Sequence, residues 1–556
     1  MMPVFDIEAI SWVYPIAVGL YVENTYTEFL KVSEEHDLIW SFLEYLGEHH
    51  QGYKFYAHNA SNYDNKFILD TLIRHNQKVS FPAGLAKLVW TEKDISFEDS
   101  YLLVGRSLAS VCEAFDVPRK LHLDYDEMKN PWEMETTQLD QLRSYLRRDC
   151  TSLSLALDAF AKELLERFNI TPSSTLSLTA VKAFDKSFYP VNKITTNEEF
   201  EKFIRAATYG GRNEVYKRYG EDIQMYDMRG MFVSCYDVPM PVGKMHWTKP
   251  NIDTGTLVEA VVKVPDMPIG PLPLRFHGRL IFPVGEFKSW WDVVELRNAV
   301  EKFGVDITLT RQLDCEELPV MREFGKVLGD LRKVPNIEMS RIWKIFGLRL
   351  SGKFGQHRSR TEIKHVTDIE DLSGYVPIES SEIYHEKTVN SNGHRSPYIK
   401  PALNMRVRSQ ARVRHLDYLS SVKTLYYCDT DSVHTNEIMP LGEDVGQLQH
   451  VGIAKRAYYI GCKFYGYIDE KDVLRQRTAG LRDLELAEYE FKKLLSGNGV
   501  DRNTERMNSW REILKGKGFN LDSIPRRLKI PDFPNRITEG LETRPIKLPL
   551  KGDLPK

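Results

Sequence analysis

No two of the six cysteines (Cys112, Cys150, Cys235, Cys315, Cys428 and Cys462) stand in a CxxC spacing. That excludes a cysteine zinc cluster and a disulfide framework, and leaves the reduced thiols of an intracellular protein. Positive charge is not in excess either: 75 Lys and Arg against 78 Asp and Glu give a net charge of -3. A polyanionic partner therefore has to be met by local basic surface, not by the field of the whole molecule. The apolar opening MMPVFDIEAISWVYPIAVGLY carries Asp6 and Glu8 and lacks a basic head. It reads neither as a signal peptide nor as a membrane span, and no membrane partner is expected. Repeats are lacking too. What is present suits large cores: 42% hydrophobic and 28% charged residues along 556 positions, enough for about three to five structural units.

The patterning is α/β and multidomain. Residues 2–10, 17–24 and 54–60 read as strands, and DNKFILDTLIRHN as a helix. Segment 136–168 has apolar spacings of three and four and reads as one long helix or two joined. A helix is expected over 174–189, then a strand with a turn over 222–236. A β-leaning, Pro-rich stretch follows, then a helix around 287–303. Helices over 318–350 are broken near 334–336, and another is expected at 402–420. A hairpin over 422–436 comes next. Segment 356–400 is polar, with Asn390, Ser391, Asn392 and Gly393 clustered as a turn, and suits a protruding lobe.

Two sets of carboxylates stand out. Asp6 and Glu8 share one face of a strand, and Tyr145 and Asp149 share one face of a helix. With Asp64, they could hold two divalent cations while Tyr145 orients an attacking water, a chemistry suited to phosphodiester hydrolysis. Ordinary surface acids remain the competing reading, because such spacings are common. The second set is YYCDTDSVH, where Asp429 and Asp431 interrupt an apolar run. Buried charge of that kind needs a positive partner. If Asp227, at the end of IQMYD, is drawn beside them, Mg²⁺ answers the need, with Asp227 and Asp431 as ligands and Asp429 in an indirect role. Lys344, on the helix SRIWKIFGLRLSGKFG, and Arg332 upstream are candidates for triphosphate contact. A solvated lysine on an amphipathic helix is the alternative.

In order along the chain, FDIE, HNASNYD, YLRRD, TYGGR, DMRGMFVS, KIFGLRLSG, DTDS and the segment ending in Lys463 and Tyr465 resemble the motifs of family B DNA polymerases of the protein-primed group. Such enzymes occur in some phages, viruses and linear plasmids. The first polymerase motif has Gly230, Phe232 and Val233 where Ser, Tyr and Pro are usual. The helix motif keeps Lys344 and Gly352 but has Leu348, Arg349 and Ser351 in place of Asn, Ser and Tyr.

The resemblance implies a ribonuclease-H-like 3′–5′ exonuclease domain (1–175) followed by a polymerase right hand. A linker and first palm segment would span 176–243, and a palm extension with a terminal-protein-contacting insertion 244–335. The fingers helix would be 336–355, a strand-displacement insertion 356–400, the remaining palm 401–470 and the thumb 471–556. It implies metal-ligand roles for Asp6, Glu8, Asp64 and Asp149, with Tyr145 orienting water and Asn59 touching the substrate strand. Phe232, beside Met231, takes the place of a ring that excludes ribonucleotides. Tyr209, Gly210 and Gly211 match the element linking the two activities, and Lys463 with Tyr465 the primer-gripping motif.

Basic candidates for the DNA track are Arg406, Arg408 and Arg412, then Arg502, Arg506, Arg511, Lys515, Lys517, Arg526 and Arg527. Implied partners are template and primer DNA, deoxynucleoside triphosphates and a terminal protein primer. Two Mg²⁺ per centre are implied, with Mn²⁺ as a substitute. A monomer acting in the host cytoplasm or at a site of viral or plasmid replication is expected. The alternatives are a family B polymerase without protein priming and a reverse-transcriptase-like polymerase; YCDTDS is not the hairpin of the latter.

Overall fold

Alternation in VFDIEAI produces the strand Val4–Ile10, with Phe5 and Ile7 turned into one core and the two acids turned the other way. In the computed structural model, residues 1–124, 128–189, 198–357, 359–378, 383–390, 398–479, 484–530 and 535–548 are described. The strand is central in a seven-stranded sheet. Its order is Thr25–Leu30, Tyr14–Val22, Val4–Ile10, Lys54–Ala57, Ile95–Asp99, Lys87–Trp90, Val79–Ser80. Val4–Ile10, Lys54–Ala57 and Ile95–Asp99 run parallel, and the flanking pairs are antiparallel. Helices Leu38–His49 and Asp64–Arg74 cover one face through Phe42, Leu43, Ile68 and Leu69. The other face carries Thr136–Phe168, a single helix of 33 residues. Its close approach depends on Gly19, where an added Cβ would lie 2.8 Å from Leu146 and 2.9 Å from the Cys150 thiol.

A second seven-stranded sheet runs Leu474–Thr478, Phe464–Asp469, Leu448–Gly461, Tyr219–Met228, Ser432–Thr435, Leu425–Asp429, Asn213–Val215. Helix Pro401–Ser420 backs it, and Leu176–Ser187, Arg322–Leu331 and Ile337–Phe354 pack in the same core. The break expected near 334–336 is present, with Asn336 capping the longer helix through the amides of Glu338 and Met339.

Three expectations change. Residues 284–292 form a strand, and the helix begins only at Val293. Phe287, Trp290 and Trp291 satisfy either period, and pairing of Leu257–Val264 with this stretch decides the matter. The strand belongs to a five-stranded sheet that the insertion builds around its own core of Val258, Val262, Trp291 and Leu296. Second, the lobe does not merely protrude. Ser359–His365, Val376–Pro377 and Tyr384–Asn390 form a three-stranded sheet. Its Ile363, Ile378 and Tyr384 join the core of the N-terminal unit, and the Tyr384 hydroxyl accepts from the Val79 amide at 3.2 Å. The expected turn at Ser391–Gly393 lies outside the described residues. Third, 471–556 is not one unit. Val500–Met507 and Leu521–Leu528 form a ribbon, whereas Lys547–Leu548 returns to pair with Val284–Gly285 in the insertion sheet.

Candidate active sites

The first cluster lies between the N-terminal sheet and its long helix. Asp6 and Glu8 project from one strand, and Asp149 faces them from the helix, one turn beyond Tyr145. Ligand oxygens of Asp6, Glu8 and Asp149 all lie within 4.8 Å of one another. Asp64 stands at the start of its own helix and accepts from the Ile7 amide at 3.1 Å. Burial, reinforced by the Asp149 charge, pushes Asp6 up to about 7. Burial followed by the Asp6 charge holds Asp64 well above the usual carboxylate range. Asp6 Oδ2 and Asp149 Oδ1 are buried without hydrogen-bond partners. Clustered carboxylates with orphaned oxygens fit a divalent cation. Asn59 sits in the left-handed region at φ 65°, its side-chain oxygen accepting from Asn62 at 2.7 Å.

The sequence reading missed Lys120. Its Nζ lies 2.6 Å from Asp149 and 4.6 Å above the Tyr145 ring, and the Tyr145 hydroxyl hydrogen-bonds the same carboxylate. Burial raises Asp149, and Lys120 opposes that rise. The available signal was weak: one of several basic residues in a loop between the second and third acidic motifs.

The second cluster is built by register. Asp227 pairs with Ser432, and the Met228 amide donates to the Asp431 carbonyl at 2.8 Å, so the strand end meets the DTDS turn. Burial, then the charges of Asp227 and Asp429, push Asp431 up to about 7, and Lys344 opposes them. Asp227 is raised by burial and again opposed by Lys344. The Lys344 charge is therefore felt at both acids. Lys463 Nζ approaches Asp429 at 3.6 Å. The turn is tight: Thr430 adopts φ 59°, costly for a β-branched residue, and its amide donates to the Arg212 carbonyl at 2.6 Å.

Gly211 lies under that turn, where a Cβ would sit 2.7 Å from the Thr430 side chain. Phe232, Met231, Gly211, Thr430 and Arg408 are among the residues lining a cavity of about 190 Å³ beside the acids. Gly230, at φ 55°, leaves room for Arg332, whose Nη1 would be 2.5 Å from a Cβ there. Arg332 Nε and Nη1 are buried without partners.

Several residues expected at the DNA have partners within the protein. Tyr209 is buried, its hydroxyl bonded to Ser289 Oγ at 2.7 Å and to the Trp290 carbonyl at 3.1 Å. Arg412 forks onto Glu295 at 2.7 Å and caps the carbonyls of Tyr209 and Gly210. Arg406 is consumed by Asp292 and Glu317. Arg502, Arg506 and Arg511 pair with Glu490, Glu512 and Glu386. These guanidiniums align protein segments. Tyr465 is half-buried in an aromatic group with Tyr427, Tyr459 and His434.

A family model described as DNA polymerase type B, organellar and viral, matches residues 49–139 and 122–439. The chain belongs to that family. The chain is similar to a probable DNA polymerase of Ascobolus immersus, 24% identical over 547 residues, covering 82% of this chain and 44% of that one. It is also similar to a probable DNA polymerase of Podospora anserina, 26% identical over 572 residues, covering 86% and 47%. The chain thus spans about half the length of these two relatives. Among solved structures, Phi29 DNA polymerase with primer-template DNA and incoming nucleotides aligns with a TM-score of 0.70 at 16% identity, covering 95% of this chain and 99% of that one. The likeness establishes a right-hand fold of palm, fingers and thumb. Among the described residues, no helix is long and apolar enough to cross a membrane.

Proposed function

We propose that the chain is a template-directed DNA polymerase with a separate 3′–5′ exonuclease. The observation that carries the reading is the meeting of Asp227 and Asp431, held together by strand register, with Lys344 aimed at both. In this reading the second sheet is the palm; helix Ile337–Phe354 presents Lys344, and the end of helix Arg322–Leu331 presents Arg332, to the triphosphate of an incoming deoxynucleotide. The Phe232 ring closes the sugar pocket against a 2′-hydroxyl by bulk alone, having no phenolic donor. Lys463 and Tyr465 face the primer end. The N-terminal unit, in the ribonuclease-H-like arrangement, trims a mispaired 3′-end: Tyr145 and Lys120 position the attacking water at Asp149, and Asn59 steadies the strand.

Asp227 with Asp431, and Asp6 with Glu8, Asp64 and Asp149, are the residues that would hold divalent cations, two per centre, Mg²⁺ or Mn²⁺. When bound, such ions activate the attacking oxygen and stabilise the leaving one. The insertion between the two polymerase motifs has its own sheet and core, which supports its use as a docking body for a protein that offers a hydroxyl in place of a primer. The same acids serve that reaction. The lobe at 359–390 and the ribbon at 500–528 then take the displacement and thumb roles.

The two centres should separate by mutation. Asp227→Ala or Asp431→Ala should lower nucleotide addition by at least about a thousandfold while leaving single-strand degradation within about twofold. Asp6→Ala with Glu8→Ala should do the reverse. Primer extension and 3′-end trimming on defined oligonucleotides measure both. Extension at the parental rate by Asp431→Ala would end the assignment.

A further inference from the structure

Five arginines are buried among the described residues: Arg212, Arg218, Arg406, Arg412 and Arg536. Four of them are paired with acids. Arg212 and Arg536 share Glu214, Arg406 takes Asp292 and Glu317, and Arg412 takes Glu295. Arg218 stands apart. Its Nη1 donates to the Ile460 carbonyl at 2.7 Å and its Nη2 to Thr538 Oγ1 at 2.9 Å, both neutral, and its Nε has no partner. A guanidinium with only 3% of its surface exposed and no counter-charge among the described residues is expensive to bury. An anion beside it would remove that cost.

The space for one exists. A cavity of about 340 Å³ is lined by Arg218 together with Arg279, Arg536, Asn213, Gly461 and Cys462, among others. No carboxylate is among its described lining residues. Its position is informative. Gly211 lines both this cavity and the smaller one at Phe232 and Thr430, so the two flank the DTDS turn. Asn213 pairs with Asp429 in the sheet, and Cys462 adjoins Lys463, which reaches Asp429. On one side of the catalytic acids lies the pocket read as that of the incoming sugar. On the other lies a cationic chamber large enough for a sugar-phosphate unit.

We propose that this chamber seats a backbone phosphate of the primer strand immediately behind its 3′-end, with Arg218 as the buried counter-charge and Arg279 at its rim, on the strand Arg279–Ile281 that pairs with Leu274–Phe276 in the insertion. The proposal rests on the polymerase reading and specifies which strand and which group the palm holds there. It also gives the insertion a part in ordinary elongation, because Arg279 belongs to that sheet-bearing segment and not to the palm.

The free cysteines supply a probe. Cys462 is exposed while the other five are buried, so alkylation by N-ethylmaleimide, read by peptide mass spectrometry, reports this chamber. A duplex with a recessed 3′-end, bound at saturation as judged by gel shift, should slow Cys462 labelling about tenfold by excluding the reagent. Arg218→Gln should raise the KM for primer-template about tenfold, leave kcat at saturating primer unchanged, and reduce the salt slope of duplex binding by about 0.9. If Arg218→Gln fails to fold, Arg279→Gln, at an exposed position, should reduce the same slope in a variant whose melt shows it folded. Unslowed labelling in a saturated complex would overturn the proposal, as would a parental slope in a folded variant or protection by an acidic peptide but not by primed duplex. Parental extension of the same duplex separates the cases. If extension is normal and Cys462 stays reactive, the chamber assignment alone falls. If the duplex neither binds nor extends, the polymerase reading falls with it.

Discussion

At Phe232 a single ring stands between two nucleotide pools. It is half-buried on the helical turn Met231–Ser234, against the cavity beside the acids. Selection by bulk requires that truncation open the pocket without touching the acids. Phe232→Ala should therefore lower the preference for deoxyribonucleotides by a factor on the order of 10–100, with Asp227 and Asp431 still supporting addition. Competing ribo- and deoxyribonucleotide incorporation on one template measures it; an unchanged ratio would reduce Phe232 to a packing residue. The acids themselves allow a second test. Asp6 and Asp431 are both held at about 7 against an ordinary 3.8, so without cations the folded state binds protons that the unfolded state has released. Stability of the metal-free protein should then fall as pH rises from about 4 to about 7 and level off above. Mg²⁺ should restore more Tm at about pH 8 than at about pH 5. Thermal melts with and without EDTA read this directly, and equal gains at the two pH values would contradict it.

Among the elements, those written in local pattern were legible. FDIE and DTDS declare their acids by alternation and by interruption of an apolar run, and the long helix declares itself by spacing. Lys120 was not legible, because its meaning comes from a helix that faces it across a polar loop. For Arg412 and Tyr209 the motif was legible and the partners were not. Their motif positions are real, but Glu295 and Ser289, which occupy them, lie in an insertion whose course no local signal fixes. The lobe at 359–390 was read as free because its apolar residues are sparse; Ile363, Ile378 and Tyr384 nevertheless reach another unit's core. Tyr384→Ala should consequently cost about 3 kcal/mol locally and loosen the lobe. Displacement synthesis through a blocked duplex should drop severalfold, while single-nucleotide addition to an open primer stays level. Parental displacement by that variant would detach the lobe from this role.

Across the whole molecule, distant segments hold one another by small contacts. The C-terminal ribbon bears a tip whose Ile513, Leu514 and Phe519 enter the N-terminal core, and Arg511 pairs with Glu386 of the lobe at 2.6 Å. Lys78 of the N-terminal unit meets Asp368 of the lobe at 3.0 Å. Ribbon, lobe and N-terminal unit are therefore linked in one series of contacts, and at the ribbon's root Phe491, Val500 and Leu528 pack with Tyr458 and Ile460 of the second sheet.

The return of the last described strand to the insertion sheet has one more consequence, and it concerns scissors. Lys547–Leu548 pairs with Val284–Gly285, and Arg536 is buried against Glu214 and the Pro268 carbonyl. The ribbon is thus a loop fastened at both ends, with its tip tied down as well. The exposed bend before it, Ser496–Asn498, is a natural place for a protease to cut. A single cut there should not shed the C-terminal piece. The two fragments should co-elute at the parental volume under native conditions and part only in denaturant. Loss of the small fragment on gel filtration without denaturant would show that the fastening is weaker than the contacts suggest.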